Sequence, residues 1–134
     1  MNSLLILLFS LEWNQGLVEF ILEGYNESMT ILKDIDQQVK ANPILLYMKG
    51  SPDAPQCGFS SKASQILIAC GKPFSFVDIL SNPEIRANLP EYSSWPTFPQ
   101  LFVKGELVGG SDILSELHEN GELQKIIDEV VIEE

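Results

Sequence analysis

Cys57 is the residue whose type and setting point most directly to chemistry. It follows a short apolar run and a turn-rich stretch, Gly50 to Gln56 with Pro52 and Pro55, and it opens a segment of helical pattern that closes at Gly71. At the head of a helix, unpaired backbone N–H groups and the helix dipole favour negative charge, so a thiolate is stabilised there. Its neighbours Gln56, Gly58 and Ser60 are small or polar, as befits a thiol open to solvent. Residues three apart on a helix face the same way, so a cysteine at position 60 would resolve a mixed disulfide at Cys57; the serine there cannot. The second cysteine, Cys70, lies roughly 20 Å further along at 1.5 Å per residue, beyond the ~7 Å that a disulfide spans between Cα atoms. Its neighbours Ile66, Leu67, Ile68 and Ala69 mark it as a partly buried, inert thiol.

A lone accessible thiolate can form a mixed disulfide with a small thiol, or it can ligate a metal. A [2Fe–2S] cluster takes four ligands, usually thiolates. One such chain supplies one and a pair supplies two, so the remainder must be exogenous thiols, and the cluster would lie between subunits.

The rest of the composition narrows the choice. The chain has 134 residues, enough for one domain with a single core, and 8 Lys plus Arg against 19 Asp plus Glu leave a net charge of −11. An acidic surface with its cations scattered singly repels phosphate backbones, which excludes nucleic acid as a partner. Two cysteines and one histidine are too few for a single-chain zinc site or a disulfide framework. The histidine, His118, sits near Glu116 and Glu119 on a late helical stretch and reads as solvated surface.

The elements that must position Cys57 alternate between helix and strand. Ile31, Leu32, Ile35 and Val39 fall at helical spacing with Thr30 as a candidate cap, and Asn42-Pro43 ends that helix. Ile44 to Met48 is a continuous apolar run of the kind that forms a buried strand. After the Cys57 helix, Phe74 to Ile79 reads as a second strand, and Asn82-Pro83-Glu84 as a helix opening with a capping side chain. Pro99 to Val103 and Glu106 to Val108 flank Lys104-Gly105 as a hairpin. Gly109-Gly110-Ser111-Asp112 then caps a helix, and a last helix follows Asn120-Gly121. The order α-β-α-β-α-β-β-α-α predicts an α/β domain: one mixed four-stranded sheet with helices on both faces.

Residues 1–28 carry no Lys or Arg and hold a short apolar run, Leu4 to Leu11, about half the ~20 residues of a membrane span. Basic and small residues flanking that run, as a signal peptide needs, are absent. The segment is expected to be either a loosely attached extension or translation upstream of a natural start at Met29, the latter favoured, with the domain proper at 29–134. A cytoplasmic location without membrane attachment is the expectation.

Cys57-Gly58-Phe59-Ser60, with Lys49-Gly50-Ser51-Pro52 before it and Trp95-Pro96-Thr97-Phe98-Pro99-Gln100 and Gly109-Gly110-Ser111-Asp112 after it, resembles the monothiol, CGFS-type glutaredoxins of the thioredoxin fold, specifically the single-domain bacterial kind. The resemblance covers about residues 30–130. It implies a glutathione site in which Lys49 and Arg86 meet carboxylates of the tripeptide, a planar guanidinium being suited to that clamp. Thr97, Phe98 and Pro99 match the segment with a cis bond before proline, where the Phe98 backbone pairs with the ligand like an added strand. The glycine pair Gly109-Gly110 lets the ligand approach the backbone closely, the helix N-terminus that follows at Ser111 favours a carboxylate, Asp112 takes the ligand's amino group while also being a candidate cap, and Phe59 packs beside the thiol. Many relatives carry a cysteine where Ser111 stands, so any redox switch that depends on such a thiol is absent.

The resemblance further implies a homodimer holding one [2Fe–2S] cluster between two Cys57 thiolates and two glutathione thiolates. It would pass the cluster to apo iron–sulfur proteins, pair with BolA-type proteins and serve iron homeostasis. The alternative is a glutathione-dependent reductase of protein–glutathione mixed disulfides working through Cys57 alone. The long Gly50–Gln56 loop between Lys49 and Cys57 favours the carrier. A thioredoxin-like adaptor with an incidental thiol is the third reading.

Overall fold

A computed structural model describes residues 15–132 of the chain. In order they form α1 (Gln15–Ala41), β1 (Ile44–Met48), β2 (Gly50–Ser51), β3 (Ala54–Pro55), α2 (Gly58–Ala69), β4 (Ser75–Asp78), α3 (Pro83–Ser93), β5 (Gln100–Val103), β6 (Glu106–Gly109), α4 (Ser111–Glu119) and α5 (Glu122–Asp128). The main sheet has the order β4-β1-β5-β6. β1 pairs in parallel with β4 across the α2 crossover, and antiparallel with β5, which pairs antiparallel with β6. This is the mixed four-stranded sheet that the alternation of patterns predicts.

The register of β1 divides the core. Ile44, Leu46 and Met48 face Ala63 and Leu67 of α2, Leu114 of α4, and Leu123 and Ile127 of α5. Leu45 and Tyr47 face the other way, toward Ile35 and Val39 of α1, Leu89 of α3, and Ile79 and Phe102. All five β1 residues are at most 2% exposed. A central strand covered on both faces needs an unbroken apolar run rather than alternation, and β1 has one.

The structure departs from the pattern-based reading in several places. The first helix does not open at Thr30 but runs unbroken through it from Gln15 to Ala41. The Thr30 hydroxyl donates back to the Asn26 carbonyl at 2.9 Å, a bond made inside a helix and not at its cap. The part of α1 before Ile31 lies outside the packed core, with Leu17, Phe20, Ile21, Leu22, Tyr25 and Met29 exposed. The apolar run Leu4 to Leu11 lies outside the described residues. Asn82 holds the N-cap of α3, its carbonyl accepting the Arg86 N–H at 3.0 Å, but its side chain does not cap the helix: Nδ2 donates to the Asp78 carbonyl instead. The turn-rich stretch after β1 is an ordered hairpin, Gly50 pairing with Pro55 and Ser51 with Ala54. No helix among the described residues is long and apolar enough to cross a membrane.

Candidate functional site

Cys57 occupies the N-cap of α2 with extended backbone, φ −158° and ψ 140°, and its carbonyl accepts the first helical bond from the Ser61 N–H at 2.9 Å. The thiol is free and partly exposed. The Ser60 backbone N–H is the largest influence holding the thiol below its ordinary pKa; the Phe59 N–H, the Lys49 charge and the Ser60 hydroxyl act the same way, against the opposing effect of burial. The influences that lower the pKa come chiefly from the orphan donors of the first turn. Cys70 closes the same helix, 7% exposed and unpaired, and burial pushes its thiol up.

A cleft of about 600 Å³ opens between Lys49, Phe59 of the first turn of α2, Arg86 and the start of α4. Of the residues singled out in the sequence, Lys49, Phe59, Arg86, Thr97, Phe98, Gly110, Ser111 and Asp112 line it. Cys57 and Pro99 are not among its lining residues, although their neighbours Phe59 and Phe98 are; Pro99 is buried and follows a cis Phe98–Pro99 bond. Neither Lys49 nor Arg86 forms an ion pair with another described residue, so both cations are available to an anion. Asp112 sits exposed in the first turn of α4. It does not serve as the cap; Gly110 holds that position and no side chain caps the helix.

The glycine pair also serves the protein's own packing. A Cβ on Gly109, whose φ is +148°, would stand 2.8 Å from the Ile113 Cβ, and one on Gly110 would stand 3.2 Å from the Trp95 Nε1 and the Pro99 carbonyl. The missing side chains at 109 and 110 thus make room for the protein's own Ile113 and Trp95 as well as leaving backbone at the cleft.

Residues 44–108 match the family model described as Glutaredoxin. Glutaredoxin 4 of Escherichia coli strain K12 is 61% identical over 100 residues, covering 75% of this chain and 87% of that protein. The chain belongs to the glutaredoxin family. Glutaredoxin 4 of Buchnera aphidicola subsp. Baizongia pistaciae is 57% identical over 97 residues, covering 72% of this glutaredoxin and 90% of the relative. Among solved structures, reduced apo GrxS14 of poplar is 48% identical with a TM-score of 0.63, covering 72% of this chain and 88% of that one. A buckwheat glutaredoxin–glutathione complex, 23% identical with a TM-score of 0.68 over 78% and 93% of the two chains, shares the thioredoxin-like fold.

Sequence reasoning passed over two groups in this glutaredoxin. Ser60 is noticed there for the sulfur it lacks, yet its hydroxyl is fully buried and accepts the Lys49 N–H at 3.0 Å. Trp95 opens the Trp95-to-Gln100 motif with no chemistry to single it out in the sequence, yet it walls the cleft. Its indole Nε1 and the Ser111 Oγ are buried without a partner among the described residues. Their signal in the sequence is only adjacency to Pro96 and Gly110. His118 lines a separate groove with Lys62 between α2 and α4 and takes no part in the cleft.

Proposed function

We propose that this glutaredoxin binds glutathione in the cleft and uses Cys57, with the glutathione thiolate, to hold a [2Fe–2S] cluster between two copies of the chain as cargo for apo iron–sulfur proteins. The donor set supports glutathione: two unpaired cations, Lys49 and Arg86, for its carboxylates, and the Asp112 carboxylate for its amino group. The buried, unpartnered Ser111 hydroxyl leaves a polar atom for the ligand at the same wall. Thr97 and Phe98 line the side along which the peptide would lie, and Phe59 lines the cleft two residues from Cys57. The buckwheat complex is a related fold with the tripeptide bound.

The observation that carries the reading is one free thiol at a helix head, its pKa held below the ordinary value, with the other cysteine at the far end of the same helix. No group of three or more metal-ligating side chains occurs among the described residues, so a cluster held here needs ligands from outside the chain. The ordered Gly50–Pro55 hairpin between Lys49 and Cys57 lengthens the path between the ligand's anchor and the nucleophile, which favours a carrier over rapid exchange. A BolA-type partner, a role in iron homeostasis and a cytoplasmic location belong to the same proposal.

The exposed thiolate also favours a second reading, reduction of protein–glutathione mixed disulfides. In it the Cys57 sulfur attacks the glutathione sulfur and releases the protein thiol. A second glutathione thiolate then attacks the Cys57 mixed disulfide, forming glutathione disulfide and restoring the Cys57 thiolate. Anaerobic reconstitution with iron, sulfide and glutathione, followed by visible absorption and size exclusion, separates the two. The carrier gives a coloured dimer that Cys57→Ser abolishes and Cys70→Ser leaves intact. A colourless monomer with brisk deglutathionylation reverses the assignment.

A further inference from the structure

Asp78 ends β4 directly opposite Met48, the last residue of β1, and it does not line the cleft. Its carboxylate nevertheless reaches in two directions. Oδ1 accepts the Gly50 N–H of the hairpin and the Leu80 N–H, each at 2.9 Å, and Oδ2 accepts the Ser81 hydroxyl at 3.0 Å. The Asp78 carbonyl accepts Asn82 Nδ2 at 2.9 Å. Leu80 to Asn82 is the loop that launches α3, which carries Arg86. Gly50 in turn opens the hairpin that ends one residue short of Cys57, where the Gln56 N–H donates to the Lys49 carbonyl at 2.9 Å. The hairpin is wedged close at that point: with φ +87°, a Cβ on Gly50 would stand 2.5 Å from the Ala54 carbonyl oxygen.

We propose that Asp78 is a positioning residue whose carboxylate ties the wall bearing Lys49 and Cys57 to the wall bearing Arg86, so that the two sides of the cleft keep one spacing for glutathione. The inference rests on the glutathione reading above. Asp78 Oδ1 thus collects one amide from the first residue of β2 and one from the loop before α3, and a charged acceptor binds amides more strongly than a neutral one. The Gly50 N–H is also the largest influence holding the Asp78 carboxyl below its ordinary pKa, so the carboxylate stays charged near neutrality.

The test compares the full chain with Asp78→Ala and Asp78→Asn by amide hydrogen exchange and by glutathione titration calorimetry. In Asp78→Ala the Gly50 and Leu80 amides should exchange about tenfold faster while the Leu46 amide of β1 is unchanged, and glutathione should bind about tenfold more weakly. Asp78→Asn, which keeps an acceptor oxygen, should stay within about threefold of the parent in both. An Asp78→Ala chain that binds glutathione as tightly as the parent overturns the assignment. So does one whose Leu46 amide accelerates together with Gly50, because that is general loosening. A parent that binds no glutathione sinks the functional reading instead, and the exchange ratio of Gly50 to Leu46 then decides Asp78 alone.

Discussion

The backbone N–H of Lys49 donates to the Ser60 hydroxyl across 3.0 Å, inside the protein, at the point where β1 ends and the first turn of α2 begins. That bond fixes the lysine relative to the cysteine three residues before Ser60. The position that a dithiol glutaredoxin would fill with a second sulfur is here a joint between strand and helix, and its hydroxyl also lowers the Cys57 pKa.

Ser60→Ala should therefore do two things at once. It leaves the Lys49 N–H without its acceptor, at a cost of about 1–3 kcal/mol read from urea denaturation. It also removes a donor to the sulfur, so the pH profile of Cys57 alkylation should move upward. An unchanged denaturation midpoint together with an unchanged profile would refute the role.

The two thiols should respond to pH in opposite senses. Cys57 has its pKa depressed in the folded state, so its anion favours the fold: that contribution is present above the unfolded thiol pKa and lost as pH falls through the folded value. Burial raises the Cys70 pKa, so its neutral form favours the fold below the unfolded pKa, and the contribution disappears as pH rises through the folded value. Iodoacetamide at neutral pH should label Cys57 in the native protein and reach Cys70 only after denaturant is added, with mass spectrometry reading each site.

Lys72 supplies a third check, on the scaffold alone. Its Nζ donates to the carbonyls of Ile127 and Asp128, each at 3.1 Å, and to that of Val130, satisfying the open C-terminal end of α5 from the loop after α2. Lys72→Met should lower stability by about 1–3 kcal/mol in thermal or urea unfolding while leaving glutathione binding intact. A loss of ligand affinity equal to the loss of stability would contradict that separation.

The strands, the Cys57 helix and the Lys104-Gly105 turn were legible from local pattern, because burial of β1 on both faces and positive φ at both turn residues act through neighbours in the chain. Thr30 misled because periodicity marks a helix but not its first turn, and a threonine hydroxyl bonds equally to a free N–H at a cap or to a carbonyl four residues back. The Gly50–Gln56 stretch read as turns because two-residue strands leave no periodic trace, although Gly50, with φ +87° and no room for a Cβ, suits the hairpin's close approach. Asp78 was silent, since nothing in a strand's closing residue announces that its carboxylate will collect amides from two loops.

The amino-acid sequence by itself determined the seat of the thiol: a cysteine at a helix head meets orphan N–H groups two and three residues on, and those distances are set by helix geometry however the rest of the chain folds. Only the tertiary structure decided the cleft. Lys49, Arg86, Thr97 and Asp112 come from a strand end, a helix, a loop and a second helix, and they converge because the pairing of β1 with β4 and β5 brings those ends to one side of the sheet. Pairing register is a property of packed strands, and no spacing along the chain encodes it.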